Sequence, residues 1–360
     1  MKKKIKVGII GFGLSGKFFH TPLLQAHGGY QIDMVCSSDT GKVKSSLPEV
    51  RVTPDPCELI DHPHLDLIIN AAPNSFHFSY SEAALKNGKN VVIEKPFVNS
   101  VNEGKHLIEL AQRTGKVLSI FHNRRWDSDF LTVKKLIKEG KLGHIKHFES
   151  HFDRWRPTVR PDRWREQSLK GSGILYDLGT HLIDQALNIF GSPDHLTADI
   201  CNQKDGSVND DFFHIILKYG STRVLLQSSS FSSSTPRFQI FGDQACFTKF
   251  GLDPQEEQMK HGVSVLNSSF GIEEEKYDGQ LVFPNNQKIE KIKSEKGSYL
   301  CFYDLLYKKI TTGLGELPVS PQEALSVAKI IELAFQSSTE GRTIRLPIED
   351  RLGTELSVDL

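Results

Sequence analysis

Lys4-Ile5-Lys6-Val7-Gly8-Ile9-Ile10-Gly11-Phe12-Gly13-Leu14-Ser15-Gly16-Lys17 decides how this chain is read. Its β-branched apolar run, Ile5–Ile10, predicts a buried parallel strand. The run stops at glycines spaced G-x-G-x-x-G, and a helix-compatible segment continues to about Ala26. Gly11 permits the tight strand-to-helix turn, Gly13 lets a ligand approach the backbone, and Gly16 lets the helix pack on the strand. A pyrophosphate would then rest on unpaired N–H groups at the helix N-terminus. Phe12 and Leu14, between these glycines, join Gly11, Gly13 and Gly16 as candidate dinucleotide contacts.

Length and composition narrow the field. A chain of 360 residues exceeds what one core usually supports, so two domains are expected, divided here as 1–122 and 123–360. The 44 basic and 44 acidic side chains cancel, which removes any global electrostatic reason to expect nucleic acid or an anionic membrane as partner. Cys36, Cys57, Cys201, Cys246 and Cys301 have no C-x-x-C spacing, so reduced and mostly buried thiols are predicted. The apolar run after Lys2, Lys3 and Lys4 is too short for a signal-peptide core, and no apolar run approaches the ~20 residues a membrane helix needs. The expectation is a soluble cytoplasmic protein.

A second strand, Tyr30–Cys36, ends at Ser37-Ser38-Asp39, with Lys42 close behind. In dinucleotide folds a carboxylate at this tip binds the 2′-hydroxyl of NAD, whereas hydroxyls with a nearby cation suit the 2′-phosphate of NADP. Ser37, Ser38 and Lys42 therefore favour NADP, with NAD kept open by Asp39. The same residues also make a good turn and helix N-cap. A third strand ends in Ala71-Ala72-Pro73-Asn74. Strand C-termini face the ligand crevice, so Pro73, Asn74 and His77 are placed toward the ribose or nicotinamide end.

A further strand delivers Glu94-Lys95-Pro96. A lysine at the lip of a central strand, between a carboxylate and a proline that can adopt the cis form, points to chemistry rather than stability. Next comes His122-Asn123-Arg124-Arg125-Trp126-Asp127, read as an extended crossover in which only one of Arg124 and Arg125 faces the cleft and the other makes an interdomain ion pair. Asn123 is assigned to the cofactor and Arg124 and Arg154 to the substrate. Residues 154–170, rich in Arg, Trp and Pro and including Trp164 and Arg165, are read as a lid over the cofactor in preference to a nucleic-acid surface. His144, His147 and His151 are not expected to bind metal, because His144 and His147 would fall on opposite faces of a strand.

In the helix predicted after Gly171-Ser172-Gly173, Asp177 and His181 are four apart and share a face, with Leu175, Leu178 and Leu182 as the apolar side. A carboxylate beside an imidazole can orient it and tune it as a general base. The remainder is strand-rich at hairpin spacing, predicting an antiparallel sheet, and serines 228–230 and 232–234 are read as a flat face for a neighbouring subunit.

Gly11-x-Gly13-x-x-Gly16, Glu94-Lys95-Pro96 and Gly173-x-x-x-Asp177-x-x-x-His181, in this order over essentially the whole chain, resemble the Gfo/Idh/MocA family. The segments around Arg124 and Asp153-Arg154 are similar to its bacterial branch with NADP-dependent scyllo-inositol 2-dehydrogenases. The resemblance implies an α/β protein with an N-terminal Rossmann domain and a C-terminal α/β domain whose open, mostly antiparallel sheet makes a homodimer or homotetramer. It further implies hydride transfer between a nicotinamide and a polyol, cyclitol or sugar, with Lys95, Asp177 and His181 catalytic. Both Lys95 and His181 are present, which favours an enzyme over a catalytically silent dinucleotide-binding sensor.

Overall fold

The computed structural model describes residues 4–160 and 171–347. These form two compact units, one of residues 4–126, 254–271 and 298–325 and one of the remaining described residues. Segments 254–271 and 298–325 thus pack with the first unit although they lie far beyond it in sequence.

The first unit holds β1 (Ile5–Ile10), β2 (Tyr30–Cys36), β3 (Arg51–Thr53), β4 (Leu67–Asn70), β5 (Asn90–Ile93) and β6 (Leu118–Ile120) in the order β3-β2-β1-β4-β5-β6. All pairings are parallel. This is the doubly wound dinucleotide-binding order, and its direction reverses between β1 and β4. β4 and β6 are buried at every residue, as strands covered on both faces must be. Helices α1 (Thr21–His27), α2 (Thr40–Lys44), α3 (Pro56–Ile60), α4 (His77–Lys86) and α5 (Val101–Thr114) connect them. α5 shows how its ends are set: Ser100 Oγ accepts from Glu103 N at 3.4 Å, Glu103 accepts from Asn99 N at 3.1 Å, and Gly115 closes the helix at φ +64°.

Among its described residues the second unit has nine strands. They are β7 (Ile145–His151), β8 (His195–Cys201), β9 (Phe212–Tyr219), β10 (Thr222–Ser229), β11 (Phe238–Gly242), β12 (Cys246–Lys249), β13 (Gly279–Phe283), β14 (Lys288–Ile292) and β15 (Ile344–Arg345). Their order is β14-β13-β12-β11-β7-β10-β9-β8-β15, antiparallel except for the β7–β10 pair. One face carries the core. Phe148, Phe213, Ile215, Leu217, Val224 and Leu226 pack with Phe130 and Val133 of α6 (Ser128–Lys138) and with Leu182, Ile183 and Ala186 of α7 (Thr180–Phe190). The opposite face alternates half-buried residues, as in β9 and β10, which is what a one-sided antiparallel sheet requires.

The sequence reading omitted β3, β12, β13 and β14, which are short or, as in Lys288–Ile292, dominated by charge. Serines 228–230 form no flat exterior face. Ser228 is fully buried and donates to Phe152 O at 2.6 Å, and Ser229 and Ser230 are buried beside it. Small hydroxyls fit there because Ser228 Oγ donates to Phe152 O and Ser229 Oγ accepts from Phe231 N. Among the cysteines only Cys36 is buried, Cys57 is exposed and the others are half-buried, so the expectation of mostly buried thiols was too broad. Among the described residues no helix is long and apolar enough to cross a membrane.

Candidate active site

The glycine motif behaves as its spacing predicts. Gly11 has φ +94°, and a Cβ there would lie 2.4 Å from Ala71 O; at Gly16 it would lie 2.1 Å from Gly11 O. At Gly13 it would meet nothing within 4 Å, so packing does not require glycine there. A cleft of about 580 Å³ opens here, bounded by Gly11, Phe12, Gly13, Ser37, Ser38, Lys42 and Pro73 together with Cys36, Phe76 and Tyr80. Helical structure starts directly after this loop, at residue 14, and runs to His27 through a π-helical turn, Gly16–His20. Leu14 stands 43 % exposed at its start. Burial pushes the Cys36 thiol up to about 11, leaving it a wall of the cleft rather than a nucleophile.

At the tip of β2, Asp39 caps α2, its Oδ1 accepting from Lys42 N at 2.8 Å. Asn70 braces the end of β4, donating to His77 O at 3.1 Å and to Ser81 Oγ at 3.0 Å. Asn74 is buried in the turn that follows. His77 departs from the sequence reading. It is buried, with Nδ1 2.7 Å from Pro96 O and Nε2 3.0 Å from Ala72 O, so it ties two strand ends together instead of facing a ligand. A 3₁₀ turn, Asn74–Phe76, separates His77 from the end of β4 and changes its direction.

Lys95 is half-buried at the C-terminal lip of β5, and the Lys95–Pro96 bond is cis. Glu94 grips what surrounds it: Oε2 accepts from Lys95 N at 3.0 Å, and Oε1 accepts from Ser15 Oγ in the glycine loop and lies 3.1 Å from His20 Nε2. Burial would push this carboxyl up, but the His20 ring, the Ser15 hydroxyl and the Lys95 charge outweigh it and hold it below the usual carboxylate range.

The crossover arginines also require correction. Residues Asn123–Trp126 form a 3₁₀ turn, so the alternation of an extended chain does not apply, and Asn123, Arg124 and Arg125 are all buried. Arg124 Nη2 meets Glu256 at 2.5 Å and Arg125 Nη1 meets Glu323 at 2.7 Å, both within the first unit.

In the second unit, Asp177 and His181 lie on one helical run, residues 174–190, which begins with a π-helical turn, Leu175–Gly179. Asp177 is half-buried and His181 is 5 % exposed, while Leu175, Leu178 and Leu182 are buried as predicted. Arg154 lies with its guanidinium 4.9 Å over the Phe152 ring, and its N–H donates to Ser229 O. Trp164 and Arg165 lie outside the described residues.

Asp210 was not foreseen. It holds the start of the Asp177 helix, its Oδ2 accepting from Leu175 N at 2.7 Å, and it explains Gly173, where a Cβ would lie 1.9 Å from Asp210 Oδ1. Burial pushes its carboxyl up from 3.8 to about 6 against the lowering by backbone N–H donors. With the folded value above the unfolded one, the folded state binds more protons between roughly pH 4 and 6. Asp210 therefore favours folding most below that window and loses this contribution as pH rises through it. A rise of that size is worth at most ~3 kcal/mol. Asp210→Asn should flatten that part of the stability profile in urea titrations across the window; a profile unchanged from wild type would contradict this.

Comparison with known proteins agrees with this geometry at full length. Residues 5–122 match the model of the oxidoreductase family NAD-binding Rossmann fold, and residues 134–346 match that of the oxidoreductase family C-terminal alpha/beta domain. The chain is 41 % identical over 349 residues to the Escherichia coli oxidoreductase YdgJ, covering 96 % of this chain and 100 % of that protein. It is 40 % identical to the Bacillus subtilis scyllo-inositol 2-dehydrogenase (NADP(+)) IolW, covering 95 % and 96 % of the two chains. The solved structure of the Bacillus subtilis oxidoreductase yvaA superposes with a TM-score of 0.93 at 40 % identity, over 96 % of this chain and 99 % of that one. The fold and these matches define an NAD(P)-dependent oxidoreductase. The chain belongs to the Gfo/Idh/MocA family.

Proposed function

We propose that this dehydrogenase prefers NADP and exchanges a hydride between the nicotinamide and a secondary alcohol of a cyclitol or sugar, with a scyllo-inositol-like polyol as the leading class. The observation that carries the substrate class is 40 % identity over 95 % of the chain to a protein named for NADP-dependent scyllo-inositol oxidation. The cleft fits a dinucleotide: at Gly13 a side chain would project into open space, and the loop leads directly into a helix. When bound, the nicotinamide supplies the hydride acceptor.

The residues do the rest. His181 takes the hydroxyl proton, Lys95 donates a hydrogen bond to the same oxygen as negative charge develops there, and Asp177 positions the substrate and the imidazole. The products are a ketone, a proton and the reduced cofactor. The NADP preference rests on Asp39, which borders the cleft with Ser37, Ser38 and Lys42: its Oδ1 accepts from Lys42 N, so that oxygen is engaged in capping α2. Lys42→Ala should weaken NADP binding roughly tenfold, the value of one charge-assisted contact, and leave NAD binding nearly unchanged. Equal losses for both cofactors would contradict that role. A homodimer or homotetramer built on the nine-stranded sheet belongs to the same reading, which the outward Ile216, Leu225 and Phe241 support.

The test is nicotinamide absorbance with NADP or NAD against inositols, sugars and their keto forms, with Lys95→Ala as control. Turnover that the mutant loses supports the reading. Tight cofactor binding with no turnover across the panel would instead favour a dinucleotide-binding sensor.

A further inference from the structure

Beneath Lys95 runs a buried polar array that the mechanism does not use. His20 is fully buried, with Nδ1 2.5 Å from Tyr303 Oη and Nε2 3.1 Å from Glu94 Oε1. For a neutral ring one direction of donation satisfies the chain, the Tyr303 hydroxyl donating to Nδ1 and Nε2–H to the carboxylate, and a protonated ring likewise donates from Nε2 to Glu94. Glu94 then accepts three donors, from His20, from Ser15 in the glycine loop and from the main-chain N–H of Lys95. The ring is clamped from the side by Phe121, with centroids 4.4 Å apart, and Tyr303 by Tyr30 at 5.4 Å. Tyr303 comes from the helix Leu300–Thr312, in the late segment that packs with the first unit. His20 ends the π-helical turn Gly16–His20, and its bond to Tyr303 spans 283 positions.

We propose that His20 is a positioning residue. By fixing the Glu94 carboxylate it holds the phosphate loop at Ser15 and the main chain of Lys95 as one rigid piece, so that the cradle for the dinucleotide and the lysine are set together. The alternative is a histidine that only fills the core. In that case any replacement of similar size serves equally well, whereas a positioning role demands an N–H aimed at Glu94. The proposal rests on the dinucleotide-linked dehydrogenase reading, and its test reads binding as well as turnover.

The experiment compares His20→Phe, which keeps bulk but has no donor, with His20→Gln, whose side-chain amide presents an N–H near the place of Nε2. Both are made in the full-length chain and measured for NADPH affinity by nicotinamide fluorescence and for Tm. Both should lower Tm. His20→Phe should also weaken NADPH binding roughly ten- to hundredfold, the value of a hydrogen bond to a charged group, while His20→Gln recovers most of it. Phe-variant affinity equal to wild type, or a glutamine variant as weak as the phenylalanine one, would overturn the proposal. Should His20→Phe not fold, His20→Leu, smaller and equally without a donor, takes its place: weaker NADPH binding than in His20→Gln supports the proposal, and binding equal to wild type overturns it. A wild-type protein that binds NADPH but oxidises no polyol would defeat the dehydrogenase reading without touching this one.

Discussion

His181→Ala is expected to lower kcat for alcohol oxidation roughly 10²- to 10⁴-fold, the usual worth of positioned proton transfer. The side chain is 5 % exposed on α7, a helix anchored through Leu182, Ile183 and Ala186, so truncation removes an imidazole without uncovering the hydrophobic side of the helix. Cofactor binding should be almost untouched, because the glycine cradle belongs to the other compact unit. The loss should appear in kcat rather than in the dissociation constant for NADPH. An alanine variant with wild-type kcat would assign the proton to another group.

Gly13→Val is the second large effect. Gly11 and Gly16 are sterically required by the fold, with a Cβ falling 2.4 and 2.1 Å from backbone oxygens, so their replacement conflates folding with binding. Gly13 is different, because a Cβ there meets no protein atom within 4 Å. Valine should leave Tm close to wild type and weaken dinucleotide binding about a hundredfold, since displacing the pyrophosphate forfeits charge-assisted hydrogen bonds to the loop. Calorimetry with NADPH, alongside thermal melts, checks both halves. Retained affinity would mean that the ligand does not approach this backbone, and a collapsed Tm would mean that Gly13 serves the fold.

What the sequence made legible was local. The glycine motif, the strand that precedes it and the apolar side of the Asp177 helix follow from spacing over a dozen residues, and the structure reproduces them. The sites that escaped depend on distant partners. Gly173 could be seen to matter, but not that Asp210 would occupy the space a Cβ needs. His20 looked like one helix residue among others, because Tyr303 and Glu94 approach it from 283 and 74 positions away. His77 and Arg124 were misdirected for a common reason: each follows or sits in a 3₁₀ turn that periodicity could not reveal, and each is held by neighbours that aim it inward. Strands such as Lys288–Ile292 lacked an apolar pattern, since they add to a sheet already formed by others.

The most direct test of hydride transfer uses scyllo-inositol carrying deuterium on its ring carbons, incubated with the purified protein and NADP, with the nicotinamide product analysed by mass spectrometry. Direct transfer predicts deuterium in the reduced cofactor, a slower rate than with the protiated substrate if transfer limits turnover, and no label with His181→Ala above its residual rate. Reduced cofactor formed without label would contradict direct transfer from the alcohol carbon, and no reduction with this or any other cyclitol would contradict the proposed substrate class.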